Sequence, residues 1–243
     1  SALGGVRVLV LAVLLAVCGL GVHGGRRSAL ALDNGLARTP YMGWNSWYGQ
    51  TPLYEEIVIT IADTMVSRGL HAAGYQYVWM DATWWDGKRD DHGNIIAPAR
   101  QWPHGLRFLT DYIHTKGLRA GIYTDAGANG CAGDNQGSGP AKPGGPDHYQ
   151  QDADQFAAWG FDGVKLDFCG GYAAGLDPAT QYAKFSAALR NNAGHRPMLI
   201  NICDPYLPAG YDPPLEQSAF WSYTFGPVNG NSWRTDNDIG LPN

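Results

Sequence analysis

Positive charge is scarce in this chain. Lys and Arg number 17 against 22 Asp and Glu, a net charge of −5, so no basic field is available to hold a nucleic-acid backbone. Other signatures are missing too. There is no Walker-type loop, no H-E-x-x-H and no G-x-S-x-G, which disfavours phosphate handling, zinc hydrolysis and a serine triad. The seven His are scattered without ligand spacing, so neither a metal nor a cofactor is expected. Long hydrophobic runs are nearly absent. The one run, residues 8–17 behind Arg7, is too short for a mature membrane span. Gly-rich residues, Arg26-Arg27 and then Ala29-Leu30-Ala31 follow it, the layout of a secretory signal peptide cut after Ala31. The expected organisation is a leader over 1–31 and one domain over 32–243, secreted and free of the membrane once the leader is removed. Cysteine is sparse as well. Cys18 leaves with the leader, and two of Cys131, Cys169 and Cys203 should pair outside the cytosol.

What is present is globular material, 44% hydrophobic and 12% aromatic. Strand-like runs occupy 41–47, 75–81, 118–125, 161–168 and 197–204, with a sixth at either 218–224 or 231–239. Helical patterns lie between them. Ile57, Ile61 and Met65 share one face, as do Leu106, Leu109 and Ile113; Phe156 with Trp159 marks another helix, and Tyr182, Phe185 and Leu189 a fourth that follows Pro178 at its first turn. Gly69, Gly117 and Gly160 sit where helices should stop. The alternation predicts a parallel sheet under helical cover. No G-x-G-x-x-G follows the first strand, which weighs against a dinucleotide-binding sheet. Instead Asp81, Asp125, Asp167, Asp204 and Asp238 gather at carboxyl ends of strands, the layout of a (β/α)8 barrel. Six strands are legible rather than eight, so the barrel is expected to be incomplete.

The stretch FDGVKLDFCGG, 161–171, shows the same logic at residue level. Val164, Leu166 and Phe168 fall on one face of a strand, Lys165, Asp167 and Cys169 on the other. Charged side chains seldom go inside unpaired, so the second face should look into the mouth of the barrel.

The chain resembles glycoside hydrolase family 27, the melibiase-type α-galactosidases. The matching stretches are TPYMGWNSW (39–47), YQYVWMD (75–81), GLRAGIYTDAG (117–127), WGFDGVKLDFC (159–169) and SWRTDNDI (232–239), in family order. The resemblance implies a (β/α)8 barrel followed by a small antiparallel β domain; this chain would lack the last two strand units and that second domain. It implies Asp167 as nucleophile and Asp238 as acid/base, with Asp236 a competitor by proximity. Trp47 would floor the sugar, Asp81 would grip hydroxyls, and Lys165, Tyr123 and Arg234 would bind sugar or line the pocket. Cys131 and Cys169 would form a disulfide beside the nucleophile. Asp204 stands where many relatives carry Glu, Ala82 stands where the family has a second aspartate, and Cys203 is left without its family partner. The first two departures touch sugar recognition, so the implied activities are a secreted retaining α-galactosidase or a related β-L-arabinopyranosidase or isomalto-dextranase. The expected partner is an oligo- or polysaccharide ending in a pyranoside.

The residues support the same chemistry without the family. Glycosides are cleaved by two carboxyl groups in opposite protonation states. Lys165, two residues from Asp167 on one strand face, should keep Asp167 ionised. Trp44, Trp47, Trp79, Trp84 and Trp85 lie near strand ends, where an indole can stack on the C–H face of a pyranose. The glycine-rich segment 127–145 reads as a flexible lip over the pocket. Two rivals belong to other classes: a catalytically silent carbohydrate-binding fragment, and an interaction protein that merely keeps the scaffold.

Overall fold

Alternation along the fourth strand sets the frame. Val164 and Leu166 are fully buried, while Lys165 and Asp167 emerge part-exposed on the opposite face of β4 (Gly163–Asp167). The computed structural model describes residues 32–49, 52–203 and 222–235. The chain runs β1 (Met42–Asn45), α1 (Glu55–Ser67), β2 (Tyr75–Met80), α2 (Leu106–Thr115), β3 (Arg119–Asp125), α3 (Tyr149–Ala158) and β4. It continues through α4 (Cys169–Ala173), α5 (Pro178–Arg190), β5 (Leu199–Ile202), α6 (Ser222–Asn229) and β6 (Ser232–Trp233). The strands form one sheet in sequence order, parallel at every pairing. These are six β/α units of a (β/α)8-type barrel. Among the described residues no helix is long and apolar enough to cross a membrane.

The two faces of the sheet carry different cores. Val78, Met80, Ile122, Val164, Leu166 and Ile200 point to the helices and join Leu109, Ile113, Phe156 and Phe185 in the main apolar cluster. Tyr77, Trp79 and Leu199 point inward and pack with Leu36, Ala37 and Tyr41. Trp79 lies flat across its neighbours: a Cβ on Gly121 would sit 2.1 Å from its ring, and one on Gly163 2.8 Å. Only glycine leaves room for the indole there.

The sheet curls. Five strand spacings of roughly 4.8 Å would hold the edges of a flat sheet roughly 24 Å apart. Yet Ser232 Oγ reaches Tyr41 Oη at 3.4 Å, and the amides of Asn34 and Asn231 bond reciprocally, at 3.4 and 2.7 Å. Asn231 also accepts from Ile200 N–H and donates to the carbonyl of Leu32. The segment ahead of β1 thus straps the amino end of the barrel to β5 and β6.

Two readings of the sequence need correction. Of the two sixth-strand candidates, the later one forms β6, while 222–229 is helix α6 and 218–221 lie outside the described residues. Phe225 on α6 stacks on Tyr182 with ring centroids 5.5 Å apart; a short apolar run cannot by itself separate strand from buried helix. In α1 the buried face is Val58, Ala62 and Met65, not Ile57 and Ile61, which are only part-buried. Glu55 is buried on the same helix, its carboxylate held by His104 Nδ1 at 2.6 Å and accepting the His104 N–H at 3.1 Å. The other helix marks hold. Pro178 opens α5, capped by Asp177 accepting from Thr180 N–H, and Gly69, Gly117 and Gly160 all take positive φ at helix ends.

Candidate active site

Of the side chains singled out from the sequence, Asp81, Tyr123, Asp125, Lys165 and Asp167 lie on or just beyond β2, β3 and β4, toward their carboxyl ends. Parallel registry places Tyr123 beside Lys165 and Asp125 beside Asp167. Asp81, immediately after β2, is 2% exposed and satisfied on every side. Its Oδ2 accepts from Lys165 Nζ at 2.8 Å and Asn45 Nδ2 at 2.7 Å, its Oδ1 from Ala82 N–H at 2.8 Å, and its own N–H donates to Ser46 Oγ at 2.9 Å. Asn45 and Ser46 were not foreseen, although polar residues ending β1 in WNSW carry the same signal that marked the strand-end aspartates.

Lys165 has a nearer partner besides the expected one. Its Nζ is 2.8 Å from Asp81 but 3.6 Å from Asp167, and it lies 5.3 Å from the Tyr123 ring centroid. Burial alone would weaken the ammonium, but Asp81 and the other negative neighbours outweigh it and hold its pKa above the usual lysine range. Asp167 is therefore not kept at an ordinary carboxylate pKa by Lys165. Burial raises it, Lys165 pulls it down, Asp81 pushes it up, and Phe168 N–H and Arg234 oppose; the net shift is upward.

Asp125 takes a supporting place. It is fully buried and accepts from Gly127 N–H at 2.6 Å and from Gly170 and Gly171 N–H at 3.2 and 3.3 Å. Burial first, then the charge of Asp167, push it up to about 7 against those backbone donors. Tyr123, 1% exposed, receives the Cys131 N–H on its hydroxyl at 2.9 Å, and burial lifts its pKa well above the phenol range. Cys131 and Cys169 are joined in a disulfide, the pairing the resemblance implies. Their sulfurs and the Asp125 and Asp167 carboxylates lie within 4.8 Å of one another. With both sulfurs bonded to each other and Asp125 saturated by amides, the group is a poor metal ligand set.

The lip segment is tied down rather than draped. Gly137 N–H bonds Ala128 O, Ser138 N–H bonds Asp125 O and Gly139 N–H bonds Gly127 O. Arg89 grips Asp152 with both Nη atoms, at 2.6 and 2.7 Å, and reaches Gly137 O at 3.2 Å.

Trp47 is exposed beyond β1, its N–H held by Asn45 Oδ1 at 2.8 Å. Ala82 is 4% exposed within the main apolar cluster. Beyond β5, Cys203 is a free thiol; burial, followed by the charge of Asp167, pushes it up to about 12. Arg234 follows β6, its N–H on Ile202 O at 3.0 Å and its Nη1 3.6 Å from Cys203 Sγ. Asp204, Asp236 and Asp238 lie outside the described residues. The described part of the site thus brings together three carboxylates, Asp81, Asp125 and Asp167, with the cations Lys165 and Arg234.

Known proteins resemble this chain in sequence and in fold. The melibiase family model, described as Alpha galactosidase A, matches residues 39–240. Alpha-galactosidase 2 of Arabidopsis thaliana is 40% identical over 216 residues, covering 88% of this chain and 49% of that protein. A probable alpha-galactosidase of Dictyostelium discoideum is 41% identical over 210 residues, 86% of this chain and 48% of the relative. Among solved structures, alpha-galactosidase I from Mortierella vinacea superposes with a TM-score of 0.71 at 30% identity, covering 87% of this chain and 50% of that one. The chain spans about half the length of the curated relatives it matches. By sequence and by fold, this chain belongs to the melibiase family, glycoside hydrolase family 27.

Proposed function

We propose that the chain carries the glycone site and nucleophile of a retaining α-galactosidase. The observation that carries this reading is Asp167 at the end of β4, beside the Lys165–Asp81 ion pair, in a chain about 40% identical to proteins named alpha-galactosidase. Asp81 and Lys165 hold hydroxyls of the terminal sugar, Tyr123 supports Lys165 from below, Arg234 and Asp204 complete the rim, and the exposed indole of Trp47 meets the C–H face. Asp167 attacks the anomeric carbon while Asp238 gives its proton to the leaving oxygen. Asp238 then takes a proton from water, which displaces Asp167 with net retention. This chemistry requires the two carboxyl groups to stand about 5–5.5 Å apart. Export through the 1–31 leader fits the apolar run at 8–17, and a glycan partner outside the cell fits both.

Ala82 motivates a second reading, hydrolysis of a β-L-arabinopyranoside, because an apolar side chain beside Asp81 leaves one fewer hydroxyl acceptor. A panel of aryl α-galactoside, aryl β-L-arabinopyranoside and dextran decides between them, with the anomer of the first product read by NMR. Retained galactose is expected. An inverted product, or turnover confined to another sugar, overturns the reading. Binding of galactose without turnover of any glycoside would mark the chain as a carbohydrate-binding fragment.

A further inference from the structure

Among the described residues, Asp125 is the buried strand-end carboxylate to which the proposed reaction gives no task. It ends β3 directly across from Asp167 in the parallel register. Its Oδ1 accepts from Gly127 N–H at 2.6 Å, within its own loop. Its other two bonds cross to the next strand's turn: Oδ2 accepts from Gly170 N–H at 3.2 Å and Oδ1 from Gly171 N–H at 3.3 Å. Both donors lie just beyond Asp167, in α4. We propose that Asp125 is a positioning residue for the nucleophile: it fixes the turn after β4 and, through that turn, the carboxylate of Asp167. The proposal rests on the glycosidase reading for the role of Asp167.

The path between the two aspartates is short. Ala126 N–H bonds the Asp167 carbonyl at 2.9 Å, so the end of β3 also holds the nucleophile's own peptide group. Asp167 Oδ1 accepts from Phe168 N–H at 3.1 Å, and Phe168 gives its carbonyl to Tyr172 N–H at 2.9 Å. The direction of the Phe168 N–H therefore depends on the turn that hangs on Asp125. Glycine allows the close approach. A Cβ on Gly127 would stand 2.2 Å from Gly170 C, and one on Gly170 2.0 Å from Asn129 O. Two backbones run in direct contact, and the carboxylate is bonded to both.

A carboxylate is an expensive group to place there. Burial and the nearby charge of Asp167 oppose its ionised form, and an oxygen of each carboxylate lies within 4.8 Å of the other. The hydrogen-bond pattern explains the residue type. Asparagine has one acceptor oxygen and serine a single hydroxyl, and neither serves Gly170 from one atom and Gly127 with Gly171 from another. The Cys131–Cys169 bridge restrains the same turn through one side chain, whereas Asp125 holds it by its backbone.

The test is the split between kcat and KM in Asp125→Asn. Whichever way the new amide turns, its nitrogen faces a backbone N–H, so the clamp opens while the shape is kept. On p-nitrophenyl α-galactoside, kcat should fall on the order of a hundredfold, the effect of a misplaced reacting group. KM should stay within about twofold, because Asp81 and Lys165 are untouched. Asn231→Ala, which weakens the strap at the amino end of the barrel, serves as the control for lost stability. At a temperature where circular dichroism shows both variants folded, its kcat should stay within about twofold of the unmodified chain. An equal fall in both variants, a fall confined to KM, or an unchanged kcat in Asp125→Asn overturns the proposal. If the unmodified chain hydrolyses no glycoside, the functional reading fails by itself. In that case, or if Asp125→Asn does not fold, hydrogen exchange of the unmodified chain judges the clamp. Gly170 and Gly171 amides that exchange as slowly as those of β3 support it, and amides that exchange faster refute it.

Discussion

At the scale of single residues, the site is governed by one lysine shared unequally between two aspartates. Lys165 stands 0.8 Å nearer Asp81 than Asp167, so its charge is spent chiefly on Asp81. It still lowers the pKa of Asp167 against burial. Lys165→Met removes that pull, so Asp167 should require a higher pH to ionise. The acid limb of kcat/KM, which reports the free enzyme, should move to higher pH alongside a large fall in kcat; an unmoved limb would detach Lys165 from the nucleophile. Asp125 offers a stability test. Its folded pKa of about 7 lies above the ordinary 3.8. A raised acid contributes stability fully below its ordinary value and loses it as pH climbs through the folded value. Between about pH 4 and pH 7 the fold should weaken, and calorimetry should find that slope shallower in Asp125→Asn.

At the scale of elements, the segment after β3 has glycine where a core would need side chains, and a covalent link takes over. The Cys131–Cys169 bridge closes a loop of 38 residues, worth about 3–4 kcal/mol by chain entropy. Cys131→Ser should lower denaturant stability by an amount of that order, as read from the urea midpoint. Inside the barrel, the constraint is volume. Gly121→Ala puts a methyl into the Trp79 ring, and overpacking of this kind costs about 1–3 kcal/mol. The matching change at Gly175, where nothing lies within 4 Å but φ is +64°, carries backbone strain alone. Thermal midpoints of the two variants separate crowding from strain.

At the scale of the whole molecule, the curl of the sheet brings functional residues from distant parts of the chain to one end. Asn231 is central to that curl, bonded to Asn34, Leu32 and Ile200 at once. Asn231→Ala leaves the buried Ile200 N–H unpaired and should cost about 1–3 kcal/mol. Faster hydrogen exchange at Ile200 would accompany it; unchanged protection there would show that the strap does not hold β5.

The order of β/α units was legible in the sequence because period-2 and period-3.6 patterns are local properties of a chain. So was the placement of Asp81, Asp125, Asp167 and Lys165, since alternation assigns a face and the parallel sheet assigns an end. Other features were decided only by tertiary structure. Phe225 lies on a helix and stacks on Tyr182, and Glu55 at the start of α1 is buried against His104 while Val58 and Ala62 join Met65 on the buried face. Lys165 joined Asp81, 84 residues away, in preference to Asp167, two residues away. Local pattern says which way a side chain points; which partner it meets depends on distances across the sheet, and electrostatic preference is settled at differences of less than an ångström.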